Sequence, residues 1–199
     1  MTVRLWLDLD LTDDPADAAG LLAAAAHPNV RLVGISTNGA TALEGAEIAR
    51  SLLAAADRPV PLVYAGAPDP RALAAAEAVL ALGPPTNLAN LLRASVELPP
   101  TAVLASRFGD DPLAAAILIA NGDDLLVVPD EIVAALPVGR GRPAALLALL
   151  GEHVRVERRP VAVTVVGALV VDEIDGVAHD VVVDTDAHAA RVRIAMLLS

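Results

Sequence analysis

Short apolar runs alternate with helical segments along most of this chain, and that alternation limits the folds open to it more than any other feature. Runs rich in Val, Leu and Ile at residues 3–7, 29–36, 60–64, 101–105 and 124–128 read as buried strands. Between them, 17–26, 43–56, 87–95 and 112–121 carry apolar residues at helical spacing, with Thr86 and Asp111 placed as caps for the last two. Residues 71–82 are ambiguous: helical in their first half, already strand-like from Ala78. Two further helices, 130–136 and 143–150, flank the Arg-rich turn Gly139-Arg140-Gly141-Arg142. Residues 159–171 fit a helix or a strand, and 170–183 alternates in two runs around Asp175-Gly176, the signature of a β-hairpin. Strand–helix alternation predicts an α/β fold: a mostly parallel open sheet with helices on both faces, ending in a C-terminal hairpin. No polar linker divides the chain, so 1–199 is read as one domain.

Composition narrows the functional classes. The formal net charge is -11 and all 14 basic residues are Arg, so a nucleic-acid partner is not expected. With no Cys, disulfides and thiolate metal sites are excluded. No apolar run reaches membrane-spanning length unbroken, and the acidic N-terminal stretch does not read as a signal peptide, so the expectation is a cytoplasmic protein without a membrane partner.

Parallel sheets place ligands at the C-terminal ends of their strands. The first strand ends in Asp8-Leu9-Asp10, and Asp13, Asp14 and Asp17 follow closely. Like charges so concentrated need a cation or strong donors, and a strand end plus a helix start can supply the oxygen ligands a hard cation takes. The alternative is that some of these carboxylates cap the next helix and face solvent. Asp13 and Asp14 suit that reading; Asp8 and Asp10, ending a buried strand, suit it less. The four His residues are scattered without metal-ligand spacing: His27 reads as a helix C-terminal cap, and His153, His179 and His188 as surface residues. Ser36-Thr37-Asn38-Gly39 reads as an anion or hydroxyl nest or a plain strand-to-helix loop.

Several segments, taken in order, resemble the inosine-uridine-type nucleoside hydrolase family. They are Leu7-Asp8-Leu9-Asp10 with Asp17-Ala18, His27-Pro28-Asn29-Val30, Gly34-Ile35-Ser36-Thr37, Val63-Tyr64-Ala65-Gly66-Ala67, Leu82-Gly83-Pro84-Pro85-Thr86-Asn87-Leu88-Ala89, Asp111-Pro112-Leu113-Ala114-Ala115, Leu125-Leu126-Val127-Val128-Pro129 and Pro160-Val161-Ala162-Val163. The family opens on an Asp-Thr-Asp-Pro-Gly-x-Asp-Asp signature. Its members are calcium-dependent N-ribohydrolases that cleave the N-glycosidic bond with an Asp-activated, metal-bound water. The resemblance implies Asp10 as general base and metal ligand, Asp17 and the Leu82 carbonyl as further calcium ligands, and Asp8, Asp14, Asn38 and Thr41 as substrate contacts.

This chain resembles a shortened, divergent member. In register, Ala16 stands where the family has a ribose-binding Asp, and Thr41 where it has an Asn. The Glu-Phe-Asn sugar-binding segment is missing. Arg158-Arg159-Pro160 stands where the family's His-Asp-Pro supplies a leaving-group His and a third metal carboxylate. A guanidinium cannot ligate a cation but pairs well with carboxylates, so Arg159 is expected to replace the metal and neutralise Asp10. The function implied is a nucleoside hydrolase-like protein that has lost calcium-dependent catalysis and acts as a binder of a nucleoside-like small molecule or as a partner subunit, a homodimer included, with no cofactor. The alternative is an active, calcium-dependent hydrolase of a nucleoside or related N-riboside with Asp10 as base.

Overall fold

Residues 5–9 of the first strand are fully buried, and their side chains divide between the two faces of one sheet. Leu5, Leu7 and Leu9 enter one apolar cluster and Trp6 the other, as the two-residue period of a strand requires. The computed structural model describes residues 2–12, 15–105, 108–123, 125–134 and 141–198. Elements run β1 (Val3–Leu9), α1 (Pro15–Ala26), β2 (Val30–Thr37), α2 (Ala42–Ala55), β3 (Leu62–Ala65), α3 (Pro70–Leu73), β4 (Ala78–Ala81), α4 (Thr86–Arg93), β5 (Thr101–Ala105), α5 (Pro112–Asn121), β6 (Leu126–Val128), α6 (Asp130–Ala134), α7 (Gly141–Leu149), β7 (Val154–Val163), β8 (Leu169–Val171), β9 (Val177–Thr185) and α8 (Ala187–Leu197).

The strands form one nine-stranded sheet in the order β3-β2-β1-β4-β5-β6-β9-β7-β8. From β3 to β9 all pairings are parallel; β7 is antiparallel to both β9 and β8. Helices α1 and α7 pack together, as do α4 and α5. Residues of α1, α2 and α7 join the Leu5/Leu7/Leu9 cluster, and those of α4 and α5 join the Trp6 cluster, so both faces are covered. This is the expected α/β architecture. Among the described residues, no helix is long and apolar enough to cross a membrane.

Two local expectations change. The C-terminal hairpin is present, but its paired strands are β7 and β8, joined by the turn at 164–168. Asp175-Gly176 instead connects β8 to β9, which are not neighbours because β7 lies between them. Both strands alternate, and local patterning does not say which partner each takes. Thr86 is not a cap either: Pro85 holds that position, and the Thr86 hydroxyl donates to Asp111 Oδ2 at 2.6 Å. Asp111 caps α5 as expected, its Oδ1 accepting from Ala114 N at 3.0 Å. One carboxylate thus ties two helix starts together. Asp111→Ala is expected to destabilise the fold by about 1–2 kcal/mol, seen as a lower urea midpoint with an unchanged m-value. The turn at 139–140 lies outside the described residues.

Candidate functional site

Strand order reverses between β1 and β4, since the chain builds outward through β2 and β3 on one side and through β5 and β6 on the other. Open α/β sheets bind ligands beyond the strand ends at such a switch point. Asp8-Leu9-Asp10 ends β1 and Leu82-Gly83 follows β4, so the expected cluster stands there. The two segments are in close contact. Leu82 N and Gly83 N both donate to the Asp8 carbonyl, at 2.9 and 3.2 Å. A Cβ on Gly83 would lie 2.9 Å from Asp10 N and 3.0 Å from the Leu9 carbonyl carbon, so only glycine fits. This brings the Leu82 backbone beside Asp10.

Asp8 is fully buried on the Trp6 side of the sheet. Its Oδ1 accepts from Ser36 Oγ at 2.6 Å and Asn87 Nδ2 at 2.9 Å, and its Oδ2 from Asn38 Nδ2 at 2.8 Å. Trp6 Nε1 donates to Ser36 Oγ at 3.0 Å and so extends the chain of donors into the core. Burial pushes the Asp8 carboxyl up to about 6, with Asp10 adding to the rise, while the donors from Asn87, Ser36 and Asn38 pull it back. Asp8 was expected to face a substrate; it is held instead by the protein's own donors. Asn38 was expected there too, but its amide turns onto Asp8, leaving its buried Oδ1 with no hydrogen-bond partner.

Asp10 and Asp17 come together as expected. The Asp10 N–H donates to Asp17 Oδ2 at 2.7 Å, holding the first turn of α1 against the end of β1. Thr12 Oγ1 lies 3.2 Å from Asp10 Oδ1 and 2.5 Å from Thr41 Oγ1, so exposed Thr41 meets the loop at Thr12. Asp14 lies outside the described residues. Asn87 and Ser36 are the site residues that sequence patterning did not assign to Asp8. The available signal was Asn87 itself, a polar residue among the buried Leu88, Ala89 and Leu91 of α4.

Arg159 does not neutralise Asp10. Its Nε and Nη2 both donate to Glu157 Oε2, at 3.1 and 2.7 Å. Strand β7 stands five places from β1, roughly 24 Å at the usual strand spacing, beyond the reach of an Arg side chain. Arg159 also pairs with His179, below the rim at which β9 ends. His179 is buried rather than exposed, its Nε2 2.8 Å from the Ile119 carbonyl oxygen. His27, expected to cap the C-terminus of α1, turns its ring onto the following turn, with Nδ1 accepting from Asn29 N at 3.1 Å. Its Nε2 lies 3.4 Å from Glu152 Oε1, and burial holds its pKa below the usual value, with Glu152 opposing and Arg193 reinforcing.

Calcium takes six to eight oxygen ligands, usually including several carboxylates. Asp10, Asp17 and the Leu82 carbonyl are oxygen donors of the right kind. Among the described residues, however, no group of three or more acidic or His side chains is placed to hold a metal. One Asp17 oxygen accepts the Asp10 N–H, and the residue expected at the third carboxylate position is an Arg on a distant strand. Of the ligands that the resemblance implies, the described residues bring Asp10 and Asp17 together beside the Leu82 backbone. What they form is a buried carboxyl near pH 6 beside a second, nearly buried carboxylate at a switch point.

No family model matches the sequence, and no curated protein matches it. Solved structures do. The chain superimposes on an inosine-uridine preferring nucleoside hydrolase from Bacillus anthracis with a TM-score of 0.77 at 15% identity, covering 99% of each chain. A plant nucleoside hydrolase gives 0.79 at 14% identity, over 100% of this chain and 99% of that one. A purine-preferring ribonucleoside hydrolase from Gardnerella vaginalis gives 0.71 at 17% identity over 98% of each. The protein has the nucleoside hydrolase fold, in a sequence far diverged from these structures.

Proposed function

We propose that the protein is a cytoplasmic, nucleoside hydrolase-fold binder in which calcium-dependent N-ribohydrolase activity has been lost. The observation that supports this reading is the donor set at the switch point: Asp10 and Asp17 meet there, and no group of three or more acidic or His side chains among the described residues is placed to hold a metal. Ala16, where the family has a ribose-binding Asp, removes a sugar contact as well. Loss of metal and sugar ligands together departs further from hydrolysis than a change of specificity would. The ligand proposed is a nucleoside-like small molecule, contacting the rim formed by Asp10, Thr12 and Thr41. A role as partner subunit draws on the same loss.

A second reading, an active hydrolase of an N-riboside, is favoured by one feature: Asp10 sits at the switch point next to a carboxyl that titrates near 6, a pairing suited to acid–base work. Titrating calcium into the protein in a calorimeter separates the two. The expected result is no saturable binding. Tight binding that Asp10→Ala abolishes overturns the proposal and points to the hydrolase.

A further inference from the structure

At the opposite end of α1 from Asp17, three polar side chains from distant segments meet. His27 follows α1 with its side chain wholly buried, Glu152 lies in the turn after α7, and Arg193 lies on α8. Arg193 Nε donates to Glu152 Oε2 at 3.1 Å. Arg193 Nη2 stands 2.9 Å from His27 Nε2, and Glu152 Oε1 stands 3.4 Å from the same nitrogen. The other ring nitrogen, Nδ1, accepts from Asn29 N.

Both ring nitrogens therefore face donors, since neither a guanidinium nor a backbone N–H can accept. A neutral imidazole has one proton and one bare nitrogen. The Asn29 bond takes Nδ1 as the acceptor, which leaves the proton on Nε2, where Glu152 can receive it. A second proton would sit on Nδ1 against the Asn29 N–H. It would also place a buried cation beside Arg193, with one carboxylate between the two.

Helix α8 rests on the fold through few apolar contacts. Its buried residues are Ala190 and Ile194, which with Leu147 of α7 form a small cluster apart from the two main ones, and Leu197 is partly buried. The start of the helix is held separately: Asp186 N donates to the His153 carbonyl at 2.9 Å, and Asp186 Oδ1 accepts from Ala189 N at 3.0 Å. We propose that His27, Glu152 and Arg193 form a pH-sensitive latch, which holds the C-terminal half of α8 against α1 and α7 while His27 is neutral and releases it when His27 is protonated.

Residues 18–26 of α1 carry no charge, so the charged groups facing the ring are Glu152 and Arg193. His153 and His188 stand near the Asp186 carboxylate at the other end of α8, where their protonation strengthens attraction and opposes release. The His27 pKa is lowered from its usual 6.5. Its contribution to holding α8 is thus complete above that value and is lost as the pH falls below it.

Hydrogen exchange at the amides of residues 191–198, corrected for the intrinsic pH dependence of exchange, reads the latch directly. Between about pH 7.5 and about pH 5, wild-type protection there is expected to fall about tenfold, the equivalent of one pKa unit, while that of α5 holds. His27→Gln keeps a neutral side chain throughout and should show no fall. Arg193→Ala leaves the buried ring in place; it should show low protection already at the higher pH and no further fall. If His27→Gln does not fold, Arg193→Ala decides alone. A fall that persists in His27→Gln, a wild-type helix equally protected at both pH values, or an Arg193→Ala helix as protected as the wild type at the higher pH would overturn the proposal.

Discussion

Asp8→Asn is expected to stabilise the fold at pH 7, by up to about 3 kcal/mol. The wild-type carboxyl is pushed from 3.8 to about 6 by burial. A carboxyl raised on folding is better tolerated protonated, so its favourable contribution is complete below pH 3.8 and is lost as pH rises through 6. Above that, the native state carries a buried charge whose three donors only partly offset its desolvation. Asn removes the charge and keeps the shape. Its Oδ1 can accept from Ser36 and Asn87 as Asp8 does. Its Nδ2 would face Asn38, whose side-chain amide can flip so that the Oδ1 now lacking a partner accepts the bond. Urea unfolding of both proteins from pH 3.5 to 8 should show little difference at the acid end and a gap that widens up to about pH 6 and then holds. A variant less stable than the wild type at pH 7 would mean that the donors outweigh burial.

Gly34→Ala is expected to have the opposite sign and similar size, destabilising by about 3 kcal/mol. A Cβ at residue 34 would lie 2.0 Å from one Trp6 ring carbon and 2.3 Å from the next. Trp6 has no exposed surface, stacks near Tyr64 with ring centroids 5.8 Å apart, and donates to Ser36. It cannot move aside without breaking the donor chain to Asp8. Trp6→Leu creates space and costs stability on its own, yet in the Gly34→Ala background it should cost far less. A thermodynamic cycle over the four proteins should give a coupling of at least 1 kcal/mol; additivity would show that the ring and the glycine are not in contact as described.

These two expectations trace how far the chain was legible as a sequence. Alternating strand and helix patterns determined the α/β class, because burial on both faces requires continuous apolar runs and helices require the 3.6-residue period. The position of Asp8 and Asp10 at the end of a buried strand placed these carboxyls at the switch point. Its internal wiring was not legible. That Asn87 reaches Asp8 depends on β4 being laid beside β1, a long-range pairing without a local signature. The same limit explains Arg159. Its place in the order of segments suggested a partner for Asp10, but sheet order sets β9, β6, β5 and β4 between their strands, and Glu157, two residues away on the same face, takes the guanidinium. His179 looked solvent-exposed because its surroundings come from β7 and α5, far apart in sequence. The hairpin around Asp175-Gly176 misled because β7 inserts between strands whose own patterns match.

The central proposal is that this nucleoside hydrolase fold does not perform calcium-dependent hydrolysis, and the most direct measurement is release of free base from inosine and uridine, with calcium present, by the wild type and by Asp10→Ala. The account predicts that the two proteins are indistinguishable from each other and from the buffer rate. Cleavage by the wild type that the variant lacks would contradict it and establish Asp10 as a working catalytic residue.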